Sequence, residues 1–212
     1  MKNKAIIFLN GDKGDISRIR SYITEDTWLI GCDGGTEKIL KLGLRPQAIV
    51  GDLDSIGKKL LESKDIVRVK HPKDKDYTDS EAAIRYALDR GAEEIILTGL
   101  TGSRLDHMLG NIYLLDKQEF ARAKLKIVEA SQEIYLIKDK TLIAGKKGET
   151  ISFLPINGDV QALSTKGLKY DLAEYELSLQ GNTGISNKLV EDQVEVLLPE
   201  DKKLLVIHEV SS

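Results

Sequence analysis

The stretch "TWLIGCDGGTEKILKLG", residues 27–43, contains the structural unit that recurs through the first part of this chain. Its apolar run at 27–32 predicts a buried strand, because strands covered on both faces read as continuous apolar sequence. Residues 36–43 predict a short helix that ends at Gly43, since glycine readily adopts the left-handed conformation found after helices. The acidic turn "DGG" joins the two, so the stretch predicts a strand, a polar turn and a helix in succession.

The same succession recurs up to about residue 130. Strand-like apolar runs lie at 4–9, 48–51, 65–69, 93–99 and 125–130, and helical patterns at 80–91 and 105–117. Strands that alternate with helices are typical of a sheet with helices packed on its faces. We therefore predict an α/β fold whose N-terminal domain has three layers and a mostly parallel sheet.

After residue 130 the helical patterns give way to closely spaced short strands. Residues 133–145 and 149–164 are interpreted as two hairpins, and further short runs lie at 174–180, 193–198 and 204–209. Many short strands separated by turn residues favour an antiparallel sandwich or barrel. We predict a C-terminal antiparallel β-sandwich domain at 131–212, after an α/β nucleotide-binding catalytic domain at 1–130.

Composition excludes several classes of function. The 212 residues carry a net charge of only −3, so no general electrostatic attraction draws the chain to nucleic acid or to anionic membranes. The single cysteine, Cys32, excludes an intrachain disulfide and indicates a reducing compartment. The N-terminal apolar run is too short for a signal peptide, and no stretch approaches the roughly 20 apolar residues that span a bilayer. We expect a cytoplasmic protein that binds neither nucleic acid nor membrane.

Four polar loops stand out because each follows a candidate strand. They are "CDGGTEK" (32–38), "GDLDS" (51–55), "KDKDYTDSE" (73–81) and "TGSRLDH" (101–107). The carboxyl ends of parallel strands meet at one edge of a sheet, where ligands bind in open α/β folds. The four loops are therefore expected to converge.

The loop "GDLDS" places Asp52 and Asp54 on the same side if the chain is still extended there. Two carboxylates about 4 Å apart repel each other by roughly 4 kcal/mol at an effective dielectric near 20. A divalent cation removes this repulsion, and Mg²⁺ prefers one or two carboxylates together with water and phosphate oxygens. A solvated turn explains the same residues, since aspartate and serine are good turn formers.

Two further loops precede helices and have features that suit phosphate. Thr78 and Glu81 fit a capping box, and the helix that follows them offers free N–H groups to an anion. In "TGSRLDH", Gly102 allows a close backbone approach, and the planar fork of Arg104 fits a phosphate. Asp106 directly before a helical pattern is equally consistent with a simple helix cap.

Five motifs occur in a fixed order: "DGG" (33–35), "GDLDS" (51–55), "DKDYTD" (74–79), "GSRLDH" (102–107) and "GISN" (184–187). Together they resemble the thiamine pyrophosphokinases (thiamin diphosphokinases) of the bacterial type, and the resemblance covers nearly the whole chain. It implies a homodimer with sites at the subunit interface, each chain having a nucleotide-binding catalytic domain and a β-sandwich that binds thiamine. The implied reaction transfers a pyrophosphoryl group from ATP to the thiamine hydroxyl, giving thiamine diphosphate and AMP.

The resemblance also implies roles for individual residues. Asp52, Asp54 and Asp79 look like the carboxylates that hold Mg²⁺ and ATP, and they form the implied catalytic set with Arg104 and Asp106. Either Asp79 or Asp106 is a candidate acceptor of the hydroxyl proton. The residues implied to contact the nucleotide are Asp33, Gly34, Gly35, Thr78 and Arg104. Those implied to contact thiamine, reaching across the dimer, are Ser186 and Asn187.

Two alternatives remain open from the sequence. The first is a pyrophosphokinase of the same construction that acts on another alcohol, such as a hydroxymethyl-pterin. The second is a non-catalytic regulatory module that binds a nucleotide. Some family members stack thiamine on a tryptophan near the C-terminus, whereas the only tryptophan here is Trp28. Tyr170 and Tyr175 are candidates to approach a bound ring instead.

Overall fold

A computed structural model describes residues 3–11, 15–53, 57, 63–70, 76–102, 104–173 and 176–211. The chain divides into two compact units, Met1–Ala130 and Ser131–Ser212.

Six strands of the first unit form a sheet in the order β6-β5-β1-β2-β3-β4, and every neighbouring pair is parallel. The strands are β1 (Lys4–Phe8), β2 (Thr27–Cys32), β3 (Ala48–Gly51), β4 (Val67–Lys70), β5 (Glu94–Thr98) and β6 (Lys124–Val128). All six coincide with predicted apolar runs. The central strand β1 is buried on both faces, as the continuous run of apolar residues predicted.

Among the described residues, three α-helices follow strands of this sheet: α1 (Gly35–Lys41), α2 (Asp79–Asp89) and α3 (Leu105–Tyr113). Short 3-10 helices lie at Ser17–Tyr22, Leu114–Asp116 and Gln118–Phe120. Helices α1 and α2 contact strands β1 and β2. Helix α2 buries an apolar stripe that includes Ala83, Ile84 and Ala87, whereas α1 buries Ile39 together with Thr36 and Lys38. None of the nine residues of α3 is buried, so its apolar stripe is not covered within this chain's described residues. None of the described helices has the length and apolar character needed to cross a membrane.

The second unit contains two antiparallel sheets, in the orders β11-β9-β13-β7 and β10-β12-β8. Both sheets contribute to one apolar core, for example Phe153 and Val206 from the first and Ile143 and Val194 from the second. This confirms the predicted fold class, an α/β unit followed by a β-sandwich. The strands are β7 (Gln132–Ile137), β8 (Lys140–Ala144), β9 (Thr150–Pro155), β10 (Ser164–Lys166), β11 (Asn187–Lys188), β12 (Gln193–Leu197) and β13 (Leu204–Glu209).

Both predicted hairpins are wrong. Strands β7 and β8 are neighbours in sequence, yet β7 pairs with β13 whereas β8 pairs with β12. Strands β9 and β10 are likewise in different sheets. The chain crosses between the sheets at these turns, because a sandwich must bury the inner faces of both sheets and each strand pairs where its apolar face is covered.

Candidate active site

A cavity of about 410 Å³ opens at the carboxyl ends of β1, β2 and β5. Strands β2 to β4 extend to one side of β1, and β5 and β6 to the other, so the cavity lies at the point where the strand order reverses. Ligands bind at this point in open parallel sheets. The lining residues include Asn10, Gly11, Cys32, Asp33, Thr78, Asp79, Gly99, Gly102, Arg104, His107 and Asn111.

Asp33 lies at the floor of the cavity, immediately after β2. Its backbone has a positive φ of 42°, and its N–H donates to the Val50 carbonyl at 3.1 Å. The Asp33 carboxylate lies directly against Gly51, where any Cβ would overlap it. Leu53, two residues further on, also has a positive φ of 66°. Non-glycine residues rarely adopt this conformation, and such strain concentrates at functional sites.

The electrostatic surroundings of Asp33 are unfavourable to its negative charge. Burial, followed by the nearby carboxylates of Asp79 and Asp52, raises the pKa of Asp33 to about 6, although the Leu53 N–H partly opposes this effect. The Oδ1 atom of Asp33 is buried and has no hydrogen-bond partner among the described residues. A buried acceptor without a donor is unfavourable unless a ligand satisfies it. The arrangement therefore has the capacity to bind a cation.

The N-terminus of α2 forms another wall of the cavity. Thr78 is the N-cap residue, and its Oγ1 accepts a hydrogen bond from the Glu81 N–H at 3.3 Å. This confirms the capping role predicted for Thr78. The Glu81 carboxylate forms ion pairs with Arg85 and Lys117. Free N–H groups and the helix dipole make such a helix start suitable for phosphate.

Arg104, the residue directly before α3, lines the cavity. Its guanidinium donates two hydrogen bonds to the Asp106 carboxylate, at 2.9 Å and 2.6 Å. These bonds lower the pKa of Asp106 well below its usual range and raise that of Arg104. Asp106 is not among the described residues that line the cavity. It therefore orients Arg104, as the planar geometry of a bidentate pair allows.

The structure places the predicted site residues as follows. Asp33, Thr78, Asp79 and Arg104 line the cavity, and Asp52 lies close enough to Asp33 to influence its pKa. Gly34 packs against the Asn10 side chain, and Gly35 against the Phe8 carbonyl, so these glycines let α1 begin close to β1. Asp54 lies outside the described residues, and its role stays a prediction. Ser186 and Asn187 belong to the second unit.

In the second unit, the Asn187 side chain is buried and connects two loops. Its Nδ2 donates to the Tyr170 carbonyl at 2.7 Å, and its Oδ1 accepts from the Tyr170 N–H at 3.1 Å. Tyr170 itself is exposed. Ser186 is exposed, with a positive φ of 60°, and its N–H donates to Ser152 Oγ at 3.0 Å. Asn187 thus holds in place a surface that carries an aromatic ring and a hydroxyl group.

The cavity residues that were not selected from the sequence include Asn10, Gly11 and Asn111. A signal was present for the first two, because "NG" directly follows the apolar run of β1 as the other loops follow theirs. His107 also lines the cavity. Asn111 is four residues after His107, on the same face of α3, and this helical spacing brings both residues to the cavity.

No group of three or more histidine, cysteine, aspartate or glutamate side chains is arranged to hold a metal ion within the described ranges. The carboxylates of Asp33, Asp52 and Asp79 nevertheless provide hard oxygen donors close together. Oxygen ligands of this kind are those that Mg²⁺ selects.

Comparison with known families gives two matches that follow each other along the chain. Residues 19–128 match the family model for the catalytic domain of thiamin pyrophosphokinase. Residues 132–202 match the model for the vitamin B1 binding domain of the same enzyme.

Individual relatives give the same result. A thiamine pyrophosphokinase from Bacillus subtilis is 31% identical over 87% of this chain and 88% of its own length. Its counterpart in Caenorhabditis elegans is 25% identical over 89% of this chain and 82% of its own length. Among solved structures, a thiamine pyrophosphokinase from Bacillus subtilis superposes with a TM-score of 0.87 at 29% identity, covering 99% of this chain and all of that one. The yeast enzyme, at 18% identity and a TM-score of 0.79, shows the same fold, covering 99% of this chain and 87% of that one.

Proposed function

Since the chain belongs to the thiamin pyrophosphokinase family, we propose that the cavity at the carboxyl edge of its parallel sheet binds ATP for the transfer of pyrophosphate. The chain is a thiamine diphosphokinase, which transfers the pyrophosphoryl group of ATP to thiamine. The observation that carries the proposal is the buried Oδ1 of Asp33, which has no hydrogen-bond partner in the described part of the chain and lies near the carboxylates of Asp79 and Asp52. It supports a cation-dependent phosphate site over a solvated acidic turn.

We propose Mg²⁺ as the cation, with Asp33, Asp52 and Asp79 as its protein partners. The ion prefers one or two carboxylates and otherwise binds water and phosphate, so the protein does not need to provide a preformed cluster of three ligands. When bound, it would neutralise the repulsion among these side chains and the charge of the triphosphate. Asp54, predicted as a further ligand, remains part of this proposal.

The remaining cavity residues position the triphosphate. The N–H groups at the start of α2 attract phosphate oxygens, and the Arg104 guanidinium, oriented by Asp106, adds a positive charge. Of the two candidate proton acceptors for the thiamine hydroxyl, Asp106 is unsuited to the role. The reason is that the Asp106 carboxylate is already occupied by Arg104, which lowers its pKa and weakens it as a base.

The substitution Asp79→Asn tests this site. The variant should lose most production of AMP and thiamine diphosphate from ATP, Mg²⁺ and thiamine, by about 100-fold or more, because the proposed Mg²⁺ site loses a carboxylate ligand. Because Thr78 still caps α2, the midpoint of thermal unfolding of the variant should stay near that of the unchanged protein. Normal turnover in a folded Asp79→Asn variant would contradict the proposed location.

We propose that Ser186 and Tyr170 contact thiamine, whereas Asn187 acts by holding them in position. The support is the pair of hydrogen bonds between Asn187 and the Tyr170 backbone, which leaves the ring exposed. Aromatic faces attract cationic ligands such as thiamine. Tyr170→Ala should raise the KM for thiamine several-fold, and the matched Tyr170→Phe variant should not. An equal effect of both changes would exclude stacking.

A homodimer is also proposed, with a second copy covering α3. Leu105, Leu109 and Tyr113 form a stripe at helical spacing, and their side chains are 59%, 42% and 70% exposed. Exposed apolar stripes of this kind mark interaction surfaces.

Light scattering should give the mass of two chains, and Leu109→Glu should halve it. Gln118→Glu, which adds the same charge just beyond the helix, should leave the dimer intact. If the unchanged protein is a monomer, the proposed homodimer is refuted.

A further inference from the structure

One peptide group in the cavity wall is held at both of its ends. It joins Gly99 to Leu100, directly after β5. The Gly99 carbonyl accepts hydrogen bonds from the Gly11 N–H at 2.8 Å and from Lys38 Nζ at 3.5 Å. The Leu100 N–H donates to Glu129 Oε1 at 2.7 Å. Neither Lys38 nor Glu129 lines the cavity, and neither has a role in the transfer as described above.

The two side chains come from different parts of the first unit. Lys38 lies in α1 and is only 7% exposed, with its ammonium group so close to Gly99 that a Cβ there would overlap it. Glu129 follows the last residue of β6, and its second oxygen, Oε2, accepts from Thr101 Oγ1 at 3.3 Å. One carboxylate thus binds two consecutive residues of the loop that leads to Gly102 and Arg104.

The peptide needs such support because of the residue that precedes it. Gly99 has a φ of 76°, in a region that glycine adopts as readily as its mirror image, so sterics alone do not determine the orientation of the peptide. A cation at its carbonyl and an anion at its N–H match the peptide dipole. Hydrogen bonds to charged groups are roughly twice as strong as neutral ones. The opposite orientation would direct the carbonyl at a carboxylate.

We propose that Glu129 and Lys38 are positioning residues for the pyrophosphoryl transfer. They fix the Gly99–Leu100 peptide and, through it, the course of the loop that brings Gly102 and Arg104 to the cavity. This inference rests on the proposed ATP site. It deepens that proposal, because it assigns the shape of one phosphate-facing wall to two residues that do not touch the substrate.

The test is a comparison of three variants by steady-state kinetics and thermal unfolding. Glu129→Ala should raise the KM for ATP about tenfold and change kcat less than about threefold, since the loop loses charge-assisted bonds that fix its shape. Glu129→Gln keeps an acceptor oxygen and should restore most of the affinity. The matched control is Asp159→Ala, because Asp159 accepts from Leu179 N at 2.6 Å and Ser178 Oγ at 3.1 Å, in a loop that does not line the cavity.

A purely structural role would move only the thermal midpoint. If Glu129→Ala lowers the midpoint as Asp159→Ala does but keeps the normal KM for ATP, the positioning role is refuted. Lys38→Met provides a second measurement. Combined with Glu129→Ala, it should raise the KM by less than the product of the single effects, because both changes release the same peptide. Effects that multiply would also refute the inference.

The two proposals fail in different ways. If Asp79→Asn abolishes turnover while Glu129→Ala is kinetically normal, the ATP site stands and only the positioning role falls. If both variants turn over normally, the proposed location of the ATP site is itself wrong.

Discussion

Glu149 in the second unit is buried and Asp33 in the first is partly buried, but the surroundings of the two carboxylates are opposite. Glu149 accepts hydrogen bonds from Lys146 N at 2.8 Å and from the N–H and hydroxyl of Ser211 at 2.8 Å and 2.6 Å. His208 Nε2 lies 3.0 Å away, in a buried pair. Asp33 has two other carboxylates nearby and a buried oxygen with no partner among the described residues.

The pKa values of the two groups move in opposite directions. Burial raises the pKa of Glu149, but hydrogen bonds from Ser211 and Lys146, together with His208, outweigh it and lower the value to about 2. At Asp33, burial and two like charges act in the same direction. The second unit thus satisfies its buried carboxylate with its own donors, whereas the first unit leaves Asp33 Oδ1 without a partner among the described residues, as the proposed cation site requires.

Removal of the Glu149 carboxylate should destabilise the second unit, and this is the largest effect we expect. Glu149→Ala leaves His208 and two backbone N–H groups without their acceptor, so we expect the free energy of unfolding to fall by about 3 kcal/mol. Urea denaturation followed by circular dichroism measures the loss, and hydrogen exchange of β13 amides locates it. Glu149→Gln, which retains one acceptor oxygen, should lose less. A loss below about 1 kcal/mol would remove the contrast.

The substitution Asp33→Asn should impair the transfer reaction. Losing the negative charge should lower kcat/KM by about 100-fold, equivalent to about 2.7 kcal/mol, because the proposed Mg²⁺ site loses a ligand charge. Initial rates with ATP, Mg²⁺ and thiamine measure the effect. Near-normal rates in this variant would show that Asp33 is strained for some reason other than catalysis.

Acid should affect the stability of the two units differently. Glu149 has a folded pKa of about 2, below its usual 4.5, so the folded state binds fewer protons and stability falls as the pH drops below about 4.5. Between pH 6 and pH 3 the second unit should lose about 2 kcal/mol, measured by hydrogen exchange at β13. The Glu149→Gln variant should lack this slope; an unchanged slope would assign it to other groups.

The smallest effect concerns the contribution of the Asp33 charge to the stability of the first unit. The folded pKa of Asp33 is about 6, above its usual 3.8, so ionised Asp33 opposes folding at neutral pH and this penalty disappears as the pH falls from 6 to 4. Asp33→Asn should therefore stabilise the first unit at pH 7.5 by about 1 kcal/mol, a figure reduced for solvent screening. Fluorescence of Trp28, the only tryptophan, reports unfolding of this unit. A destabilised variant would contradict the electrostatic interpretation.

Sequence patterns were sufficient wherever local order carries the information. The apolar runs located all six strands of the parallel sheet, and the motif order identified the family, because both are properties of neighbouring residues. The position of Thr78 before α2 also predicted its capping bond. In contrast, the hairpin interpretation of 133–145 failed, because a short turn between two strands does not reveal which strands they pair with.

Within the site, the sequence alone determined that Asp33, Thr78, Asp79 and Arg104 would meet at one edge, since parallel strands all end there. Only the tertiary structure decided how each group is used. It showed that Asp106 is occupied by Arg104, that Asp33 Oδ1 has no partner among the described residues, and that Glu129 holds a peptide 29 residues away. The physical reason is that periodicity and motif spacing act along the chain, whereas hydrogen-bond satisfaction and charge burial depend on which distant residues fill the same few ångströms.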